Sequence, residues 1–139
     1  MAYERAEWST NPEEQRKYLT FVVVGGGATG VEMAGALSEI SRQTLLKDFR
    51  NINSSDAKVI LIEGGNKLLH GFREPIPKKA RHQLESIGVE VITNKQVTKI
   101  DENGVVYGEK RINASTVFWA AGVRASSLVD ELDLSLIHI

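Results

Sequence analysis

The stretch that decides the fold occupies residues 21–32 and reads Phe-Val-Val-Val-Gly-Gly-Gly-Ala-Thr-Gly-Val-Glu. Residues 21–24 are all apolar, as in a short strand that is covered on both faces of a sheet. Glycines then follow in the spacing GxGxxG, and the small residues that come next are typical of a closely packed helix. A strand, a glycine turn and a helix in this order form the cradle that holds the pyrophosphate of a dinucleotide.

Each glycine of the GxGxxG pattern has its own function in this prediction. Gly25 lets the strand turn tightly into the helix, Gly27 lets the phosphates approach the backbone, and Gly30 lets the helix pack against the strand. The helix N-terminus then faces the phosphates with free amides and its positive dipole end, which contributes roughly 0.3–2 kcal/mol. We therefore predict cofactor contacts along the whole turn, at Gly25, Gly26, Gly27, Ala28, Thr29 and Gly30.

Composition narrows the classes of protein and of site that fit the chain. A length of 139 residues suits one domain. The net charge is -1 and no basic stripe runs along any predicted helix, so the sequence does not indicate nucleic-acid binding. No apolar run approaches the ~20 residues of a membrane-spanning helix, and the charged N-terminus lacks the apolar core of a signal peptide. The sequence has no cysteine and only 3 scattered histidines, so we expect no disulfide, no cysteine nucleophile and no metal site.

From residue 20 onward, strands alternate with helices, and the pattern then changes to short strands. Residues 2–9 resemble the end of a helix, and Asn11-Pro12-Glu13-Glu14 predicts the start of a fresh one that ends near Leu19. The remaining predicted elements are strands at 21–24, 58–63 and 89–93, helices at 30–49 and 76–87, meander strands at 97–101, 105–107 and 111–113, and a return strand at 116–120. The predicted fold class is α/β, with a Rossmann-like parallel sheet (βαβαβ), an antiparallel meander crossover and a return strand.

Glu63 ends the second predicted strand, where dinucleotide-binding folds place the acidic residue that receives the adenosine ribose hydroxyls. It lies 33 residues beyond Gly30, whereas the simple motif has about 20. The long first helix and a polar loop at 51–56 account for the difference. The alternative is an exposed glutamate at a strand end with no ligand.

A carboxylate at this place also selects against a phosphorylated ribose. Two like charges about 5 Å apart, at an effective dielectric constant of ~20, repel by roughly 3 kcal/mol. Screening by solvent leaves on the order of a tenfold preference for NAD over NADP. Lys67, four residues further on, weakens this preference if its loop folds back.

Two further features leave alternatives open. Glu32 lies in the first turn of the predicted helix, where it either complements the helix dipole or lines the nicotinamide end of the crevice. Residues 119–123, Trp-Ala-Ala-Gly-Val, follow the return strand with small side chains. They either let a ring lie against the backbone or simply allow close packing.

Taken together, the sequence resembles the NADH-binding segment of flavoproteins with two dinucleotide-binding domains, and among them it is most similar to type II NADH dehydrogenases. Four stretches carry the resemblance: Tyr3-Glu4-Arg5-Ala6-Glu7, residues 21–36, the helix through Ser41-Arg42-Gln43-Thr44-Leu45, and residues 117–124. The similarity spans residues 2–127, and the long helix is its most discriminating part.

The resemblance implies a function for each candidate residue. The three glycines of the GxGxxG pattern would bind the pyrophosphate, and Glu63 would bind the adenosine ribose. Val97 would lie near the adenine, Glu32 would hold the nicotinamide carboxamide, and Ala121 with Gly122 would border the nicotinamide ring. In such enzymes NADH passes a hydride to bound FAD, and the flavin then reduces a quinone at the membrane.

The same resemblance implies that the chain is a fragment, because the FAD motifs, the quinone site and the membrane-anchoring part of these enzymes are missing. We expect residues 1–19 to be a helical remnant of the flavin domain and hinge, 20–123 the NADH-binding domain, and 124–133 a truncated return to the flavin domain. Residues 134–139 would be a tail translated from a library adapter. Genomic DNA that encodes the same six residues in frame would contradict this hypothesis. The parent enzyme would be cytoplasmic and bound peripherally to the inner face of a membrane. Its oligomeric state stays open, and a homodimer is one alternative.

Three alternatives to a quinone reductase stay open. The flavin could pass electrons to another acceptor, such as a ferredoxin-like protein. The parent could be a slow-turnover flavoprotein that binds NADH and signals redox state. The chain could also be a stand-alone NAD-binding module, which an exposed apolar docking face would argue against.

Overall fold

In the computed structural model, which describes residues 11–48 and 57–121, strands and helices alternate as the apolar pattern predicts. The elements are α1 (Pro12–Tyr18), β1 (Thr20–Val24), α2 (Ala28–Asp48), β2 (Lys58–Ile62), α3 (Ile76–Ser86), β3 (Val89–Ile92), β4 (Val97–Asp101), β5 (Gly104–Tyr107), β6 (Lys110–Asn113) and β7 (Thr116–Trp119). The predicted α/β class is confirmed. The predictions for residues 2–9 and 124–139 lie outside the described residues.

The central sheet is parallel and has the strand order β3-β2-β1-β7. β1 lies between β2 and β7, with Val22 opposite Ile60 on one side and Val117 on the other. Every residue of β1 is buried. A continuously apolar strand is what a parallel sheet with both faces covered requires.

The two faces of this sheet are covered by different layers. On one face, Phe21 and Val23 of β1 pack with Ala34 of α2 and Leu84 of α3. On the other face, β1 packs against Val105 of β5. β4, β5 and β6 form the predicted antiparallel meander. The layers are therefore helices, parallel sheet and meander, and the parallel sheet holds the core between them.

Two helix ends can be compared directly with the sequence. The helix predicted to begin at residue 30 begins at Ala28, and the Val31 amide donates to the Gly27 carbonyl at 2.9 Å. The glycine turn therefore supplies the first helical residues itself. At the end of α3, Gly88 has a φ of 93°, as its predicted C-cap position requires.

A membrane span is not found among the described residues, because none of their helices is both long and apolar enough.

Candidate functional site

The carboxyl ends of β1, β2 and β7 surround a cavity of about 330 Å³. Its walls come from four segments: residues 24–27 at the end of β1 and beyond it, 62–65 at the end of β2 and beyond it, 95–97 before and at the start of β4, and 119–121 at the end of β7 and beyond it. In open α/β sheets, ligands bind in the crevice outside the carboxyl ends of the strands. The cavity therefore lies where the fold places a ligand.

The glycine turn forms one wall, and its glycines differ in their surroundings. Gly25 has a φ of 113°, and a Cβ built there would lie 2.6 Å from the Ala121 amide nitrogen. A Cβ on Gly30 would collide with the Gly25 carbonyl oxygen. Gly27 is exposed, and no described atom lies within 4 Å of where its Cβ would stand. Two glycines thus permit close packing, while Gly27 opens the turn toward the cavity.

Glu63 stands at the end of β2 and lines the same cavity. Its Oε1 accepts a hydrogen bond of 2.7 Å from the Gly26 amide, and its Oε2 accepts one of 2.6 Å from the Gly65 amide. Both hydrogen bonds are short, as is expected when the acceptor is an ionised carboxylate. The residue predicted to receive a ribose is thus hydrogen-bonded to the glycine turn that is predicted to bind the phosphates.

The loop after β2 folds back beneath the glycine turn. The Leu69 amide donates to the Gly26 carbonyl oxygen at 2.8 Å, and the buried Leu68 side chain lies against Gly26. Lys67 does not line the cavity, although its loop does fold back. Lys95, which is not among the predicted site residues, lines it instead.

The structure brings some of the other predicted residues to the cavity. Val97 and Ala121 both line it. Ala28 and Thr29 form the start of α2 and are not lining residues. The Thr29 hydroxyl is buried, and no hydrogen-bond partner for it lies within the described part of the chain. Gly122 lies outside the described residues.

The position given to Glu32 is wrong in one respect. Because α2 begins at Ala28, Glu32 is its fifth residue and does not lie in the first turn, which contains no acidic residue. The proposed dipole interaction therefore loses its basis, since the effect fades beyond the first turn. Glu32 is exposed and does not line the cavity. Its contact with a carboxamide stays a prediction.

Sequence reasoning missed several residues of the cavity wall. Gly64 and Gly65 follow Glu63 directly, and their place in a glycine-rich strand end was an available signal. Lys95 and Gln96 precede β4, and no local pattern marked them. Trp119 was not missed, because it begins the 119–123 stretch considered in the sequence, and it lines the cavity with 58% of its surface exposed. A metal-binding cluster of His, Cys, Asp and Glu is not found within residues 11–48 and 57–121.

Comparison with known proteins agrees with this geometry. Residues 4–138 match the family described as pyridine nucleotide-disulphide oxidoreductase. The chain belongs to this family. Among family members, it is 40% identical over 136 residues to the type II NADH:quinone oxidoreductase Ndh of Mycobacterium tuberculosis, covering 94% of this chain and 29% of that protein. The type II NADH:quinone oxidoreductase NdhA of the same organism is 42% identical over 132 residues, covering 91% of this chain and 28% of that protein.

Solved structures agree with the sequence comparison. The structure of NDH2 from Plasmodium falciparum in complex with NADH matches with a TM-score of 0.80 and 25% identity, over 94% of this chain and 28% of that one. The resemblance to type II NADH dehydrogenases is therefore confirmed. The chain spans less than a third of the length of each of these relatives.

Proposed function

We propose that the chain is the NADH-binding segment of a longer flavoenzyme, a type II NADH dehydrogenase that passes electrons to a quinone. The single observation that carries the proposal is the juxtaposition of the open glycine turn and the fixed Glu63 carboxylate in one cavity. The names of the relatives at about 40% identity supply the enzyme class.

The lining of the cavity supports one orientation of the dinucleotide in this proposal. The open face at Gly27 and the N-terminal amides of α2 would hold the pyrophosphate, because the first amides of a helix have no intrahelical partner. Glu63 would take the adenosine ribose, with Val97 beside the adenine. Ala121 and the following Gly122 would border the nicotinamide.

In this proposal the chain would hold NADH, which would supply a hydride to FAD bound elsewhere in the longer protein, with a quinone as the final acceptor. This segment would hold and orient the dinucleotide, and such positioning lowers a reaction barrier because translational and rotational freedom is lost on binding, before the reaction step. In this proposal, other parts of the longer protein bind FAD and the quinone. Other parts of the longer protein also contact the membrane surface. Glu32 would reach the carboxamide of a nicotinamide that extends beyond the cavity.

Binding of the two nicotinamide cofactors to the chain tests the proposal directly. We expect NADH to bind with a Kd about tenfold lower than that of NADPH, because the Glu63 carboxylate repels a phosphorylated ribose. Isothermal titration with both cofactors measures the ratio. Equal or reversed affinities would contradict the assignment of the ribose to Glu63.

The acceptor is tested on the full-length parent enzyme under air-free conditions. NADH should bleach the flavin absorbance, and a soluble quinone should restore it at a rate that supports steady turnover. Bleaching without reoxidation by quinone would remove the quinone assignment and favour another acceptor. Reoxidation with very slow turnover would favour the signalling flavoprotein.

A further inference from the structure

Glu63 makes two hydrogen bonds that join separate turns of the chain. One carboxylate oxygen accepts from the Gly26 amide in the turn after β1, and the other accepts from the Gly65 amide in the turn after β2. Each carboxylate oxygen offers about two lone-pair sites. After both amide bonds are made, each oxygen still has one site for a further donor.

The peptide group of Gly26 is held from both sides by the segment after β2. Its amide nitrogen donates to Glu63, and its carbonyl oxygen accepts from the Leu69 amide at 2.8 Å. Leu68 is 1% exposed and packs against the same glycine. The conformation of the glycine turn is therefore fixed by groups that lie 37 or more residues away in sequence.

We propose that Glu63 is a positioning residue that holds the glycine turn in the shape a dinucleotide needs before any dinucleotide arrives. Its two remaining lone-pair sites match the two hydroxyls of a ribose, so the residue orders the phosphate site and receives the ribose together. The second half of this statement rests on the proposed function. The first half does not, since both amide bonds exist without a ligand.

The first test uses nuclear magnetic resonance of the isotope-labelled chain with Glu63→Gln. The substituted carboxamide would accept from one amide and present its own N–H group to the other. We expect both the Gly26 and the Gly65 amide signals to move, and hydrogen exchange at one of them or both to rise roughly ten- to hundredfold, as expected when a bond to a charged acceptor is lost. Gly71 and Gly88 should not respond, and the exposed Glu109→Gln variant should leave all four signals in place.

The second test separates positioning from direct contact with the ribose. ADP and a dideoxy-ADP that lacks both ribose hydroxyls are titrated into the chain and into Glu63→Gln. Positioning predicts that the substitution weakens dideoxy-ADP binding about tenfold, because the turn itself is disordered by the lost bond. Direct contact alone predicts that dideoxy-ADP binds both proteins equally, and that result would overturn the proposal.

The outcomes also distinguish this inference from the proposed function. If the unmodified chain binds neither ADP nor NADH while its Gly26 and Gly65 signals respond to Glu63→Gln, the proposed function fails and the structural role of Glu63 stands. If NADH binds and the two amide signals ignore the substitution, the positioning role fails and the proposed function stands.

Discussion

Gly27 differs from the neighbouring glycines because no atom of the described residues lies within 4 Å of its Cβ position. Gly25 and Gly30 touch other backbone atoms, so larger residues there would distort the turn itself. Gly27 has open space at its Cβ position, and its φ lies outside the left-handed region. The fold can therefore accept a side chain at Gly27, but that side chain would occupy the space through which a phosphate group approaches the turn.

Gly27→Val should therefore weaken NADH binding without unfolding the chain. A branched side chain would hold the phosphates away from the backbone amides. Loss of one or more charge-assisted hydrogen bonds would raise the Kd by roughly ten- to hundredfold. Isothermal titration measures the affinity, and thermal unfolding checks the fold.

Gly71→Val is the matched control for this change. Gly71 also has no described atom within 4 Å of its Cβ position, and it does not line the cavity. We expect its NADH affinity to equal that of the unmodified chain. Equal loss of affinity in both variants would remove Gly27 from the binding site.

Single elements show where local pattern is sufficient and where it is not. Continuous apolar runs predicted β1 and β2, and Gly88 predicted the end of α3. The start of α2 was missed by two residues, because Thr29 and Gly30 have weak helix preference and the Gly27 carbonyl decides where the first turn closes.

The meander carries an ion pair whose effect depends on pH. Arg111 donates to both carboxylate oxygens of Asp101, at 3.0 and 2.7 Å, and the Asn103 amide donates to Oδ1 at 2.9 Å. The hydrogen bonds from the Arg111 guanidinium and from the Asn103 amide, with the nearby Lys99, hold the pKa of Asp101 well below its usual range. A carboxyl group with a lowered pKa stabilises the folded state above its ordinary pKa and loses that effect as the pH falls.

Asp101→Asn should therefore be slightly less stable than the unmodified chain near neutral pH. The difference should shrink as the pH falls below about 4, the ordinary pKa of an aspartate. Arg111 is exposed and Asp101 is only partly buried, so solvent screens the pair and we expect a small effect. Urea unfolding at several pH values measures it, and a difference that grows on acidification would contradict this account.

At the scale of the whole molecule, the core lies on both faces of one parallel sheet. Leu61 is fully buried in β2 and packs on the face covered by the helices. We expect Leu61→Ala to lower the free energy of unfolding by about 2–5 kcal/mol. Ile40→Ala on α2, where the side chain is 52% exposed, should change it by about 0.5 kcal/mol or less. Urea unfolding of both variants measures the contrast, and similar losses would contradict the assigned core.

The candidate site could be predicted only in part, because its walls come together through the register of the sheet. Glu63 and the glycines follow from local motifs. The contacts of Glu63 with Gly26, and the presence of Lys95 and Gln96 in the wall, depend on which strands are neighbours. Local spacing contains no information on that point.

The close approach of Gly25 to Ala121 has a consequence for how a ligand affects stability. These residues are 96 positions apart, and they meet only when β1 and β7 have paired. A partly folded chain therefore has no complete cavity, and a ligand of that cavity binds the folded state alone. By mass action, a concentration 100 times the Kd would add about 2.7 kcal/mol to the stability of the entire domain. Resistance to proteolysis in the presence of the cofactor would then report on binding.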